Sequence, residues 1–228
     1  MTTNQRLAMR LLSAAVVLAV WLSSPAGSLE QSGTLAMLRS TEAISLADGA
    51  RYRIDASQSR FIVGAFAGGF LSALAHDHTI AIREFTGEAA FTYGTVEPAS
   101  LQMTIQAGSL AVIDKISESD RQKIQGAMRD EVLEVSKYPE IVFKSTGVTA
   151  TKTGEGQYQA RVSGELTLHG VTRPLNVNAQ LEFGDRVLRA KGAFTLKQTS
   201  FDIKPVSIAG GTIKVKDELK FTFDIVAH

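Results

Sequence analysis

Between Gly164 and Phe183 apolar and polar residues alternate along the chain. Leu166 and Leu168 share one face, while Glu165, Thr167 and His169 share the other. Beyond Gly170, Leu175, Val177, Ala179, Leu181 and Phe183 face one way and Asn176, Asn178, Gln180 and Glu182 the other. Successive side chains of an extended backbone point to opposite faces, so each run predicts a strand with one buried and one wet face. Gly170 predicts the hairpin turn, and Pro174 suits a position that need not donate to the ladder.

The same unit recurs along the chain. Phe61 to Phe66 is apolar on both faces and is interrupted by Gly64; Phe70 to Ala75 is a short apolar stretch long enough for one or two helical turns. His76, His78, Ile80 and Ile82 share one parity, but Phe85, Gly87, Ala89 and Phe91 share the other. One inserted residue near Arg83-Glu84, a β-bulge, returns both sets to the same buried face and turns the two histidines inward. Leu101, Met103, Ile105 and Ala107 alternate with polar residues, as do Ile141 and Phe143, and then Leu188, Ala190, Phe194 and Leu196. The last strand sets Ile213, Val215, Leu219, Phe221, Phe223 and Ile225 against Lys214, Lys216, Lys220 and their neighbours.

In one place the period changes. Ile124, Ala127, Met128, Val132 and Val135 form a stripe at helical spacing; Ser117 or Ser119 can cap it, and Pro139 stops it. The expectation is all-β: about eight long antiparallel strands with one inserted helix. Closure into a barrel removes the exposed edges. A strand of about 14 residues, tilted by about 40°, makes a barrel roughly 35 Å tall, and eight strands enclose either packed side chains or one ligand. A tall apolar interior suits an elongated hydrocarbon chain; a solid core without ligand is the plain alternative.

Composition narrows this reading. Residues 1–28 carry Arg6 and Arg10 ahead of an apolar run of about a dozen residues and then small residues, which predicts a cleaved export signal, with an uncleaved anchor as the alternative. Residues 29–50 show no persistent pattern and are assigned to a linker, leaving 51–228 for the barrel. The formal net charge is +1, and removing the signal leaves 22 basic against 23 acidic residues. Nothing there points to nucleic acid. The absence of cysteine excludes disulfides, thiol chemistry and thiolate-bound metal.

The run YPEIVFKS, the hairpin GELTLHGVTRPLNV and the stretch FTLKQTSFDIKPVSIAGGTIKVKDELKFTF resemble the YceI-like family of polyisoprenoid-binding proteins. The resemblance runs from about Tyr52 to Ala227. It implies an extended, lipocalin-like eight-stranded antiparallel barrel, export to the periplasm and a long isoprenoid lipid held inside. A quinone-type lipid is included in that expectation, as is transient membrane contact. No cofactor beyond a bound lipid is expected, and no enzymatic turnover.

The residues expected to meet the ligand are Ile80, Phe85, Phe91, Met103, Phe143, Leu166, Leu181, Phe194 and Phe221 on the inward parities, with His76 and His78 at the mouth. There the imidazoles can donate to a phosphate or carbonyl oxygen. Histidines two apart on a strand can also hold a metal, and an enzyme using them is the alternative to a binding protein, but a third ligand is hard to find: His169 has the outward parity and His228 is the last residue. Structural histidines are the plain reading, and the same holds for His169 in its turn. Asp217 has the apolar parity of the last strand, which predicts either a charged partner at the mouth or a bulge facing water. No nucleophile elbow, phosphate loop or dinucleotide fingerprint occurs.

Overall fold

A computed structural model of the chain describes residues 49–69, 76–92 and 97–228. The expected export signal, the body of the linker and the apolar stretch 70–75 lie outside these residues.

Thirteen strands are described. They are β1 (Gly49–Ala65), β2 (Ala67–Gly68), β3 (His78–Ile82), β4 (Phe85–Thr92), β5 (Ala99–Gln106), β6 (Leu110–Val112), β7 (Glu140–Gly154), β8 (Gln157–Leu168), β9 (Val171–Gly184), β10 (Val187–Lys197), β11 (Ser207–Ile208), β12 (Ile213–Val215) and β13 (Glu218–Ala227). The strands β13, β10, β9, β8, β7, β5, β4 and β1 follow one another round the wall, and β1 pairs back onto β13, so the sheet closes as an antiparallel barrel of eight staves. The first stave begins at Gly49, two residues before the boundary expected from the sequence.

Two staves are broken, and the breaks are informative. β3 pairs with the second half of β1 and β4 with the first half, so together they form one stave interrupted at Arg83-Glu84. Ile80 and Ile82 before the break are buried, and so are Phe85 and Phe91 after it, while Arg83 and Glu84 are exposed. The parity switch in the sequence is this interruption. Its neighbour is broken in step: β5 gives way to the 3₁₀ turn Ala107–Ser109 and then to β6, which pairs with β3.

The central hairpin closes through a two-residue turn in which His169 and Gly170 both have positive φ, 52° and 75°. That backbone matches the twist of the flanking strands. Helix α1 (Glu118–Ala127) starts at Ser117, whose hydroxyl accepts from the Asp120 amide, and runs on as a π-helical turn over Met128–Val132. Ile124 and Met128 pack against the core cluster that includes Phe61, Val63 and Ile80, and Leu133 belongs to the cluster that includes Leu166, Leu168 and Leu196. The helical segment therefore covers the barrel end where β3 begins and β8 ends. A small sheet, β11-β12-β2, adjoins the same end. The opposite end is filled by rings: Tyr52 stacks on Phe91 at 5.4 Å, and Phe183 meets Phe91 at 4.8 Å and Tyr158 at 5.5 Å.

Candidate functional site

The staves turn apolar side chains inward at every second residue, but the side chains do not fill the space. A cavity of about 580 Å³ runs inside the barrel, within the range of about 300–1,000 Å³ found for small-ligand sites. Its walls include Phe91, Leu181, Phe183 and Leu188 near the ring-filled end, Met103, Phe143, Leu166, Phe194 and Phe221 in the middle, and Ile80, Ala67, Ile213 and Val215 near the helix-covered end. Two glycines give the rings room. Phe143 lies over Gly164 and Phe223 over Gly192, each ring occupying the place a Cβ would take. Rings laid against the wall leave the lumen open.

Polar groups are few among the lining residues, and four of the five cluster. Ser100 is near the ring-filled end; His76, His78, Gln198 and Lys214 lie near the other. His76 is exposed, at the rim, and its neighbour Asp77 accepts from the Ala67 amide at 2.8 Å. His78 is half-buried, and its Nδ1 lies 2.8 Å from Asp114 Oδ2. The other oxygen of Asp114 accepts from the Thr79 amide at 2.9 Å, and Arg121 holds the Asp114 carbonyl at 2.9 Å and the Val112 carbonyl. Burial pushes the Asp114 carboxyl up, but the hydrogen bonds from His78 and Thr79 outweigh it and hold the group below the usual carboxylate value.

Ten of the twelve residues singled out in the sequence surround this cavity: His76, His78, Ile80, Phe91, Met103, Phe143, Leu166, Leu181, Phe194 and Phe221. Phe85 does not. It is buried in one core cluster with Phe61, its ring packed edge-on at 6.1 Å against that residue, which itself borders the cavity. Asp217 does not reach the cavity either. It falls in the break between β12 and β13, where counting by twos no longer applies, and accepts from the Thr199 amide at 2.9 Å and the Thr199 hydroxyl at 2.7 Å. Those hydrogen bonds hold its carboxyl below the usual value. Lys214, placed on a solvated face by its parity, borders the cavity mouth as well.

Gln198 escaped the sequence reading. It is the buried polar residue of the described core, 5% exposed. The signal was present, since Phe194, Leu196 and Gln198 continue one inward parity. His169 is bound elsewhere, with Nε2 2.7 Å from Glu134 Oε2 and its ring 4.4 Å from that of Tyr138. His228 pairs through its backbone with Arg53, toward the ring-filled end. Among the described residues no group of three His, Cys, Asp or Glu side chains could hold a metal ion.

The structure is a closed antiparallel barrel around an apolar cavity, with four of its five polar lining residues toward one end. The family model for the YceI-like domain matches residues 52–227, and the chain belongs to that family. A UPF0312 protein of Pseudomonas syringae pv. tomato is 27% identical over 143 residues, 60% of this chain and 68% of that protein. Two further Pseudomonas relatives are spanned over 60% of their length. Among solved structures, Burkholderia cenocepacia BcnA superposes with a TM-score of 0.58 at 20% identity, covering 77% of this chain and 99% of the other. A polyisoprenoid binding domain from Saccharophagus degradans, implicated in plant cell wall breakdown, superposes at 0.55 with 13% identity, covering 78% and 97%. These two likenesses show the fold.

Proposed function

We propose that the protein binds a long-chain isoprenoid or a similar amphiphilic lipid inside the barrel and carries it in the periplasm, without chemical turnover. The observation that carries this reading is the cavity itself, apolar along its length and polar at one end. An amphiphile fits that distribution tail-first. Each methylene withdrawn from water contributes about 0.8 kcal/mol, and ordering a flexible chain offsets part of the gain. The polyisoprenoid-binding domain of Saccharophagus degradans, with the same fold, supports the choice of lipid class. Export is supported by Arg6, Arg10 and the short apolar run that follows them.

Organic extraction of the protein purified from its native cell envelope, followed by mass spectrometry, tests the ligand. The expected result is about one lipid per chain, with isoprene-spaced homologues. A native preparation that releases no lipid sinks the reading. Intact mass of the same sample tests export: loss of the segment holding Arg6 and Arg10 is expected, and its retention in an unexported chain counts against a periplasmic carrier.

A further inference from the structure

We infer that Gln198, together with His78, selects a ligand with an uncharged, hydroxyl-bearing head group over one ending in an anion. The inference rests on the lipid-binding reading of the cavity and specifies the chemistry at its mouth. Gln198 is 5% exposed and borders the cavity. Its backbone is fixed on both sides: its amide donates to the Asp217 carbonyl at 3.0 Å, and its carbonyl accepts from the Ile203 amide at 3.2 Å. The side chain is fixed as well, because Nε2 donates to the Lys216 carbonyl at 3.0 Å. A carbonyl only accepts, so the atom facing Lys216 must be the nitrogen, and the amide cannot be flipped. Oε1 accepts no hydrogen bond seen among the described residues and is not a fully enclosed atom, so it keeps accessible surface in a residue that borders the cavity.

The same reasoning settles His78. The Asp114 carboxylate only accepts, so Nδ1 of His78 carries the hydrogen that lies between them. In its neutral form the imidazole then offers Nε2 as a second acceptor. Thr79 and Arg121 hold Asp114, so the ring is pre-oriented. Both side chains belong to the same barrel end: His78 pairs with Ala65 of β1, and Lys216, the partner of Gln198, donates its amide to the carbonyl of the next residue, Phe66. Two acceptors and the second N–H of the Gln198 amide suit a hydroxyl, which donates and accepts. A phosphate dianion brings acceptors only, and can use that one N–H while its other oxygens face the two acceptors. Lys214, the one lysine or arginine among the lining residues, is exposed at the rim. Covering Oε1 with bare hydrocarbon would leave it unsatisfied, so the site also rejects a tail without a head.

Competition against an apolar fluorescent dye in the cavity tests this, using geranylgeraniol, geranylgeranyl phosphate and the hydrocarbon of the same skeleton. At pH 8 the phosphate carries its second charge. The prenol should displace the dye at a concentration about tenfold below the other two, and Gln198→Met should erase that advantage. His78→Phe should reduce it, which keeps a variant in hand if Gln198→Met does not fold. A phosphate ester that equals or outranks the prenol on the wild-type protein overturns the inference. So does a prenol advantage that survives both substitutions. If the dye and all three compounds fail to bind, the cavity reading itself falls and takes this one with it.

Discussion

The ring of Phe143 lies on Gly164 so closely that a Cβ on the glycine would overlap its Cζ, and the Lys144 carbonyl would be only 2.5 Å from that Cβ. Gly192 stands to Phe223 in the same way, with the ring Cζ and the Asn178 carbonyl each 2.5 Å from where a Cβ would lie. The glycines keep the rings on the wall and the lumen clear. Gly164→Ala and Gly192→Ala should each destabilise the barrel by about 1–3 kcal/mol, since the backbone oxygen cannot yield as a side chain can. Both should also lower dye or lipid uptake by pushing a ring inward. Urea unfolding and ligand stoichiometry check the pair; unchanged values in both would show that the rings have other places to go.

A lining leucine offers a second way to close the lumen. Leu181 borders the cavity near the ring-filled end, where no polar group of the mouth is disturbed. Leu181→Trp should shorten the space available to a tail while the barrel still folds, at about 1–3 kcal/mol of overpacking. Long-chain probes should lose more affinity than short ones in a chain-length series. Equal losses at every length would place the tail elsewhere.

The helical cover is tied to the barrel by the contact between Glu134, just after the π turn, and His169 in the β8–β9 turn, 2.7 Å apart. The His169 side chain is 10% exposed, its Nδ1 has no partner, and Tyr138 packs on its ring. With Nδ1 buried and bare, Nε2 carries the hydrogen shared with the carboxylate. Glu134→Ala and His169→Ala should each cost about 1.5–3 kcal/mol, the double variant less than their sum. Hydrogen exchange should quicken first over 118–133. If that segment exchanges no faster than the wild type, the contact is not what holds it.

Much of this was legible from alternation, because burying one face of a strand forces a period of two. The hairpin 164–183 and the switch at Arg83-Glu84 follow from it, and the helix start was narrowed to Ser117 or Ser119 by the change to helical spacing, with Ser117 the cap in the structure. Where the backbone leaves the strand, the count fails: Asp217 shares a parity with Val215 but lies in a break, and its carboxylate turns to Thr199. Partners distant in sequence left no trace. Nothing near His78 announces Asp114, 36 residues on, since that contact exists only once β3 and β6 pair. Gln198 was legible in principle, as the next inward position after Leu196, but a lone amide carries no motif. The π turn at Met128–Val132 has no period of its own to detect.

The Asp114 carboxyl gives the last prediction, a pH dependence with a definite sign. Burial raises its proton affinity, yet hydrogen bonds from His78 and Thr79 leave it below the ordinary carboxylate value in the folded chain. An unfolded chain therefore takes up the proton first as pH falls, so acid favours unfolding through this group. The stabilisation is complete above the unfolded value and disappears as pH drops through the folded one. Asp114→Asn keeps an acceptor for the Thr79 amide but cannot titrate. It should be less stable than wild type by about 1–3 kcal/mol near pH 5, with the gap closing as the pH falls below the ordinary carboxylate value. Urea unfolding of both proteins across that range checks it. A gap that stays constant or widens in acid would mean that the carboxylate contributes nothing as a charged acceptor, and that His78 is oriented by something other than Asp114.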